Sequence, residues 1–188
     1  MLKTGLEIRK LDFCFENSLV KIVANRNCQE IQLAGLKVGP FGEGDEYEVQ
    51  YWIAKEIVKS GIARFRENVT LDATNLHKIQ WKERVQTARQ TSKLPEDFYP
   101  KLRRYLTRLK EEIARKPEKM REDERVRQLT QDIINSRLKK IVSFASAPAQ
   151  TEQSLRNFTD EERVLYKEIY KLISEWRTKI LGNGEGEK

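Results

Sequence analysis

The stretch VGPFGEGDEYE, residues 38–48, sets three glycines and a proline ahead of a helical pattern. A glycine-rich loop that feeds a helix N-terminus is a common way to hold phosphate. Such a loop needs G-x-x-x-x-G-K-[ST], so that backbone N–H groups and one lysine face the anion. Here Gly39, Gly42 and Gly44 are accompanied by Asp45, Glu46 and Glu48, with no Lys, Ser or Thr beside them. Those carboxylates repel a phosphate, although they suit the start of a helix dipole. A dinucleotide fingerprint fails too, because Tyr47 stands at the third glycine position counted from Gly42. The expectation is a tight turn that re-aims the chain before an amphipathic helix.

No other group of residues assembles into a reactive site. His77 is the single histidine and sits among Lys78, Lys82 and Glu83. Cys14 and Cys28 are the two cysteines and form no C-x-x-C pair, so the usual zinc ligand sets are out of reach. A Ser-His-Asp arrangement has to use His77, and no nucleophile elbow accompanies it. Carboxylate pairs such as Glu111/Glu112 and Glu161/Glu162 fall where solvated helix faces place them. No catalytic, cofactor-binding or metal-ligating residue is expected, and the chain reads as a non-enzyme that needs no cofactor. Two cysteines fit a reducing compartment, with both thiols acting as small hydrophobes. No apolar run of about 18 residues exists for a membrane span, and the N-terminus lacks a signal-peptide block. The expected location is cytoplasmic.

The formal charge of +7 is unevenly placed: residues 1–70 carry ten basic and ten acidic side chains, so the whole excess lies in residues 71–188. Such a field can draw in nucleic acid or an acidic partner. Arg103, Arg104 and Arg108, flanked by Lys101 and Lys110, surround an apolar stripe, and NSRLKK adds Arg137, Lys139 and Lys140. One reading is a phosphate-contacting surface that makes the chain a sequence-tolerant nucleic-acid binder. The other is a set of solvated faces interlaced with Glu111, Glu112, Glu122, Asp123 and Glu124 at helical spacing. DNA contact is therefore expected to be weak or indirect. Tyr105, Tyr166, Tyr170 and Trp176, at helical spacing, suit a core or subunit interface better than base stacking.

The elements that position these residues divide at about residue 68. LEIRKLDFCF, SLVKIVA and EIQLAGLKV read as short strands, followed by the Gly/Pro loop. In EVQYWIAKEIVKSG, Val49, Trp52, Ile53, Ile57 and Val58 recur at helical spacing, with Gly61 as the stop, and IARFRENV returns to a strand pattern. From residue 71 the pattern is helical. The segment 71–91 comes first, then LPEDFYPKLRRYLTRLKEEIARK with Pro95, Glu96 and Asp97 in its first turn and Phe98, Leu102, Leu106, Leu109 and Ile113 along one stripe. A third helix over 118–145 carries Leu129, Ile133, Ile134, Leu138, Ile141, Val142 and Ala145. After a small-residue connector containing Pro148, Thr159 and Glu162 form a T-x-x-E box opening the last helix. Its expected buried face is Val164, Leu165, Ile169, Leu172, Ile173, Trp176 and Ile180, before a frayed tail GNGEGEK. The fold class is α+β: a small β-rich domain over 1–68, then a helical bundle over 69–188.

Two of these segments together are similar to the GINS replication subunits. Arg137, Leu138, Lys140 and Ile141 match that family's R-L-x-K-I helix, and Phe158, Thr159, Glu161, Glu162, Leu165 and Tyr166 match its [LF]-[TS]-x-E-E-x-x-L-Y helix. LPEDFYPKLRRYL resembles the family's helix that opens with a Phe-Tyr pair. Val49, Trp52, Ala54 and Ile57 match the [VL]-P-x-W-x-A-x-x-[LI] helix of its small domain, with Gln50 where many relatives have proline. The β domain precedes the helical one, the order of the archaeal subunit that corresponds to two of the four eukaryotic chains.

That resemblance implies a non-enzymatic, nucleoid-associated scaffold of the replication fork. It implies a sister GINS subunit in a 2:2 heterotetramer, contact with the MCM helicase, which it activates, and a RecJ-type nuclease relative. Phe98, Leu102, Leu106, Leu109, Ile134, Leu138, Ile141, Leu165, Ile169, Leu172 and Trp176 are expected to supply core and subunit interface together. Arg103, Arg104, Arg108, Arg137, Lys139 and Lys140 are expected as DNA or partner contacts.

Overall fold

The computed structural model describes residues 2–66, 70–85, 91–147 and 155–182. The expectations for the 86–90 end of the first long helix, the connector around Pro148 and the tail after Gly182 lie outside those residues, as does the boundary at 68/69. The chain falls into two compact units, Lys10–Leu71 and Met1–Arg9 with Asp72–Lys188.

The first segment departs from the sequence reading. LEIRKLDFCF is part of a helix, α1 (Leu2–Glu16), and not a strand. Leu, Glu, Lys and Arg dominate it, all good helix formers, and β-branched residues are few. Ile8, Leu11 and Phe15 share one face, of which Phe15 is buried, while Leu6 and Phe13 remain exposed. Alternation over a few residues was a weaker signal than this period.

Strands follow. β1 (Leu19–Ala24) is central in a three-stranded antiparallel sheet, between β4 (Glu46–Gln50) and β5 (Ala63–Phe65). Ile22 faces Tyr47 on one side and Phe65 on the other. EIQLAGLKV makes two strands, β2 (Ile31–Leu33) and β3 (Leu36–Val38), because Ala34 and Gly35 both take positive φ at a two-residue hairpin turn. The Gly/Pro loop is anchored through Phe41, whose backbone exchanges hydrogen bonds with Cys28 at 2.8 and 2.9 Å. Its ring packs edge-on to Tyr47 at 4.9 Å, and the Tyr47 hydroxyl accepts from the Gly42 N–H at 2.6 Å. The loop delivers the chain into β4, not directly into a helix. Val49 accordingly lies on a strand, and Glu46 and Glu48 are exposed there without meeting a helix dipole.

The helix α2 (Tyr51–Lys59) buries Ile53, Ala54 and Ile57 against the sheet residues Ile22, Ala24, Val49 and Ala63. Gly61, at φ 72°, closes it in the left-handed conformation that favours glycine.

The remaining elements are helical: α3 (Ala73–Val85), α4 (Phe98–Arg115), a 3-10 turn Pro117–Lys119, α5 (Met120–Ser146) and α6 (Asp160–Ile180). Pro95, Glu96 and Asp97 precede α4 and do not form its first turn. Asp97 takes φ 53°, which aspartate tolerates, and Pro100 is then accommodated in a first turn that needs no amide donor. α5 is the central helix, packed by α3, α4 and α6. Phe98, Leu102, Tyr105 and Leu109 of α4 are buried at i, i+4, i+7 and i+11. Ile141 and Ala145 form a core cluster with Leu155, Phe158 and Tyr166.

Two predicted stripes are only partly inside. On α5, Ile133 and Ile141 are buried, but Ile134, Leu138 and Val142 are exposed. On α6, Leu172, Trp176 and Ile180 are exposed instead of buried, because every residue from Ser174 to Gly182 lies on the surface. Past Ile173 the helix buries no side chain among the described residues, although Arg177 still donates to the Ser146 carbonyl.

Candidate subunit interface

The start of α6 is fixed by local chemistry. Thr159 Oγ1 accepts from the Glu162 N–H at 3.3 Å, and Glu162 Oε2 accepts from the Thr159 N–H at 3.0 Å. This reciprocal box satisfies two amides that a helix N-terminus leaves without partners. Glu162 is also buried, so it is not on the solvated face expected of it. Its Oε1 accepts from Arg137 Nε at 2.7 Å and from the Tyr99 hydroxyl at 2.8 Å, and Arg137 Nη2 pairs with its Oε2.

Arg137 and Lys140 are likewise not surface contacts. Both lie on the buried side of α5, with Arg137 1% exposed. Arg137 donates to Glu83 Oε1 at 3.1 Å and to the carbonyls of Ser92 and Asn157, while its guanidinium lies 5.8 Å from the Phe158 ring centre. Lys140 Nζ reaches Glu83 Oε2 at 2.7 Å, and Ser92 donates its hydroxyl to the same carboxylate. Two cations thus meet two carboxylates, and the buried charge sums to zero. A charge in so dry a place persists only when paired and hydrogen-bonded. Burial works to raise the Glu83 carboxyl, but hydrogen bonds from Lys140 and Ser92 and the charges of Arg137 and Lys140 hold it below the usual carboxylate range. Burial and the Glu162 charge push the Tyr99 hydroxyl far above an ordinary phenol.

The sequence reading missed Glu83, Ser92 and Tyr99 as members of this network. A signal existed for Arg137, since Ile133, Arg137, Ile141 and Ala145 recur every four residues along the buried line of α5, and Lys140 follows Arg137 at i+3 on the same side.

The other basic candidates stand on or near the surface. Arg103 lies 3.7 Å from Glu161, and Arg108 lies 3.7 Å from Glu112 and over the Tyr105 ring. Arg104 is half-buried, and Lys139 is exposed. His77 and Cys14 are exposed and Cys28 half-buried, so Cys14 is no core hydrophobe. Among the described residues no group of His, Cys, Asp or Glu is arranged to hold a metal, and no helix is long and apolar enough to cross a membrane.

The apolar candidates separate into three groups. Phe98, Leu102, Leu109 and Ile141 are core, while Leu106, Leu165 and Ile169 are half-buried. Ile134, Leu138, Leu172 and Trp176 are exposed at 36%, 42%, 67% and 61%. Val142 continues the first pair at i+4, and Ile180 the second. On α5 this line runs beside Gln131 and Asn135, which hydrogen-bond each other at 3.0 Å. That strip is poor in charge on a chain in which 35% of residues are charged. Depletion of charge around exposed apolar side chains marks the core of an interface. Trp81 and Val85 on α3 are exposed apolar residues that the sequence reading did not single out.

Comparison with known proteins covers both units. Residues 70–181 match the GINS complex protein helical bundle domain, and residues 7–65 match the PSF2 N-terminal domain. The DNA replication complex GINS protein PSF2 of Homo sapiens is 25% identical over 148 residues, spanning 78% of this chain and 76% of that protein.

Proposed function

The chain belongs to the GINS family, as a subunit of the PSF2 type, and from that premise we propose that it works by association, as a non-enzymatic scaffold of the replication fork. A GINS subunit serves DNA replication and has the other GINS subunits as partners. In the proposed role the chain joins a sister subunit in a 2:2 heterotetramer of archaeal type. The assembly engages and activates the MCM helicase, binds a RecJ-type nuclease relative and works at the nucleoid. Division into domains over 1–68 and 69–188 is part of the same reading.

The observation that carries it is the exposed apolar line of α5, Ile134, Leu138 and Val142, together with Leu172 and Trp176 on α6. Large apolar side chains clustered on a charged surface are explained by a partner that covers them. No comparable feature favours direct nucleic-acid binding, since Arg137 and Lys140 are spent on buried carboxylates.

The test is light scattering on a sizing column, with the chain alone and co-expressed with the sister subunit. A stable mass near four chains that survives high salt is expected, because apolar contacts are not screened. A chain that ignores the sister subunit and co-elutes with DNA at low salt overturns the proposal.

A further inference from the structure

The outward face of α3 carries a chemistry that the apolar lines of α5 and α6 lack. Leu76, Ile79 and Glu83 turn inward on this helix. Trp81 stands two positions from both Ile79 and Glu83, so at about 100° per residue it points the opposite way. It is 61% exposed, and Val85, one turn on, is 66% exposed. His77, one turn back and also exposed, completes a surface line at i, i+4 and i+8.

Both flanks of that line are basic. Lys78 and Lys82 lie on one side of it and Arg84 on the other, all three exposed. Glu83 is the one acidic residue of α3, and it is buried against Arg137 and Lys140. The outer face therefore keeps three cations and no anion. Among the described residues no carboxylate pairs with Lys78, Lys82 or Arg84. Asp72, ahead of the helix, accepts from the Asn75 N–H at 2.6 Å, and Asp132 of α5 accepts from Gln128 at 3.0 Å. Elsewhere Arg103, Arg108, Lys119 and Arg127 do stand beside carboxylates, so the open charge on α3 is not the habit of the whole surface.

A large apolar side chain set between unopposed cations selects its ligand by charge: acidic, with an apolar group to cover the indole. The arrangement selects a shape as well. Apolar side chains at i and i+4 with cations on both flanks complement a second helix that has its own apolar line and carboxylates on both sides of it. A single nucleic-acid strand presents one row of phosphates and leaves one flank unanswered.

We propose that the outer face of α3 docks an acidic amphipathic helix of a partner protein other than the sister subunit. Its apolar line seats on Trp81 and Val85, and its carboxylates meet Lys78, Lys82 and Arg84. The surface is small, so the contact is transient and sensitive to salt. This docking stands apart from the subunit contact, which the proposed function places on the uncharged lines of α5 and α6.

Fluorescence anisotropy of the full chain with a labelled probe tests it. The probe is a helical peptide of about three heptads, with leucine at a and d and glutamate at e and g. It is expected to bind at low salt and to weaken as salt rises, and a probe with glutamine at e and g should bind about tenfold more weakly. Trp81→Ala, and Lys78→Glu with Arg84→Glu, should each weaken the acidic probe about tenfold. Melting temperature and helical circular dichroism should stay unchanged, because all three side chains are exposed. A probe with lysine at e and g should then bind the charge-reversed chain. A chain that does not bind the acidic probe, a glutamine probe that binds equally well, or binding indifferent to Trp81→Ala overturns the inference. So does a single-stranded DNA oligonucleotide that binds more tightly than the acidic probe and depends on Trp81.

Co-expression with the sister GINS subunit separates this from the proposed function. Trp81→Ala should still capture that subunit at full mass. If the folded variant loses the subunit, the α3 face belongs to it and the inference fails. A chain that captures no GINS subunit and yet binds the acidic probe through Trp81 supports the inference and sinks the functional reading.

Discussion

Arg137 shows how one residue type serves opposite ends. In the sequence it belongs to a basic run that invites a phosphate; in the fold its guanidinium spans Glu83 on α3 and Glu162 on α6. Removing it leaves Glu162 buried without a cation and Glu83 with Lys140 alone, so Arg137→Ala is expected to lower unfolding stability by about 3–5 kcal/mol, read from urea melts. Arg137→Lys keeps the charge but loses the planar fork and should recover only part of that. Acid should act on the same network. Because the folded Glu83 carboxyl is held below its unfolded value of about 4.5, its stabilisation is complete above that pH and is lost as pH falls through the folded value. Thermal melts across that range should show the decline, and Glu83→Gln should flatten it. At the start of α6, Thr159→Ala removes one half of the capping box and should cost about 1 kcal/mol.

At the scale of the element, helical period locates a stripe but not its coverage. Ile133 and Ile134 are neighbours on α5, one fully buried and the other 36% exposed. Ile133→Ala is expected to cost about 2–4 kcal/mol in chemical unfolding of the chain alone. Ile134→Ala should fall within about 0.5 kcal/mol there, and yet weaken capture of the sister subunit. Equal losses at the two positions in the isolated chain would refute the assignment of Ile134 to an interface. The same limit explains α1: its few apolar residues satisfied a short alternation and a helical period alike, and only Phe15, its ring tilted against Tyr51 at 4.6 Å, decided between them.

At the scale of the whole molecule the buried network sums to zero and leaves the charge excess on the surface, but it withdraws two of the basic side chains that the sequence offers to a phosphate. Arg137 and Lys140 are neutralised inside, and Arg103, Arg108 and Lys119 stand beside carboxylates. Filter binding of the chain alone to duplex DNA should accordingly show weak affinity that Arg103→Glu, Arg104→Glu and Arg108→Glu together reduce, while Lys140→Met leaves the salt slope unchanged. A steep slope that depends on Lys140 would put that residue back on the surface.

The sequence by itself determined the α+β class, the Thr159 cap, the stop at Gly61 and the family, because each rests on residues close along the chain. Local hydrogen bonds and helical spacing are legible without knowing what lies opposite. The tertiary structure alone decided that Glu83, Arg137, Lys140 and Glu162 meet, since the pairing of Glu83 with Lys140 spans 57 residues and depends on α3 lying against α5. It also decided which apolar residues are core and which await a partner. A leucine at 102 and one at 172 are the same letter on the same kind of stripe, and only the packing around Leu102 takes it out of water while Leu172 stays in it.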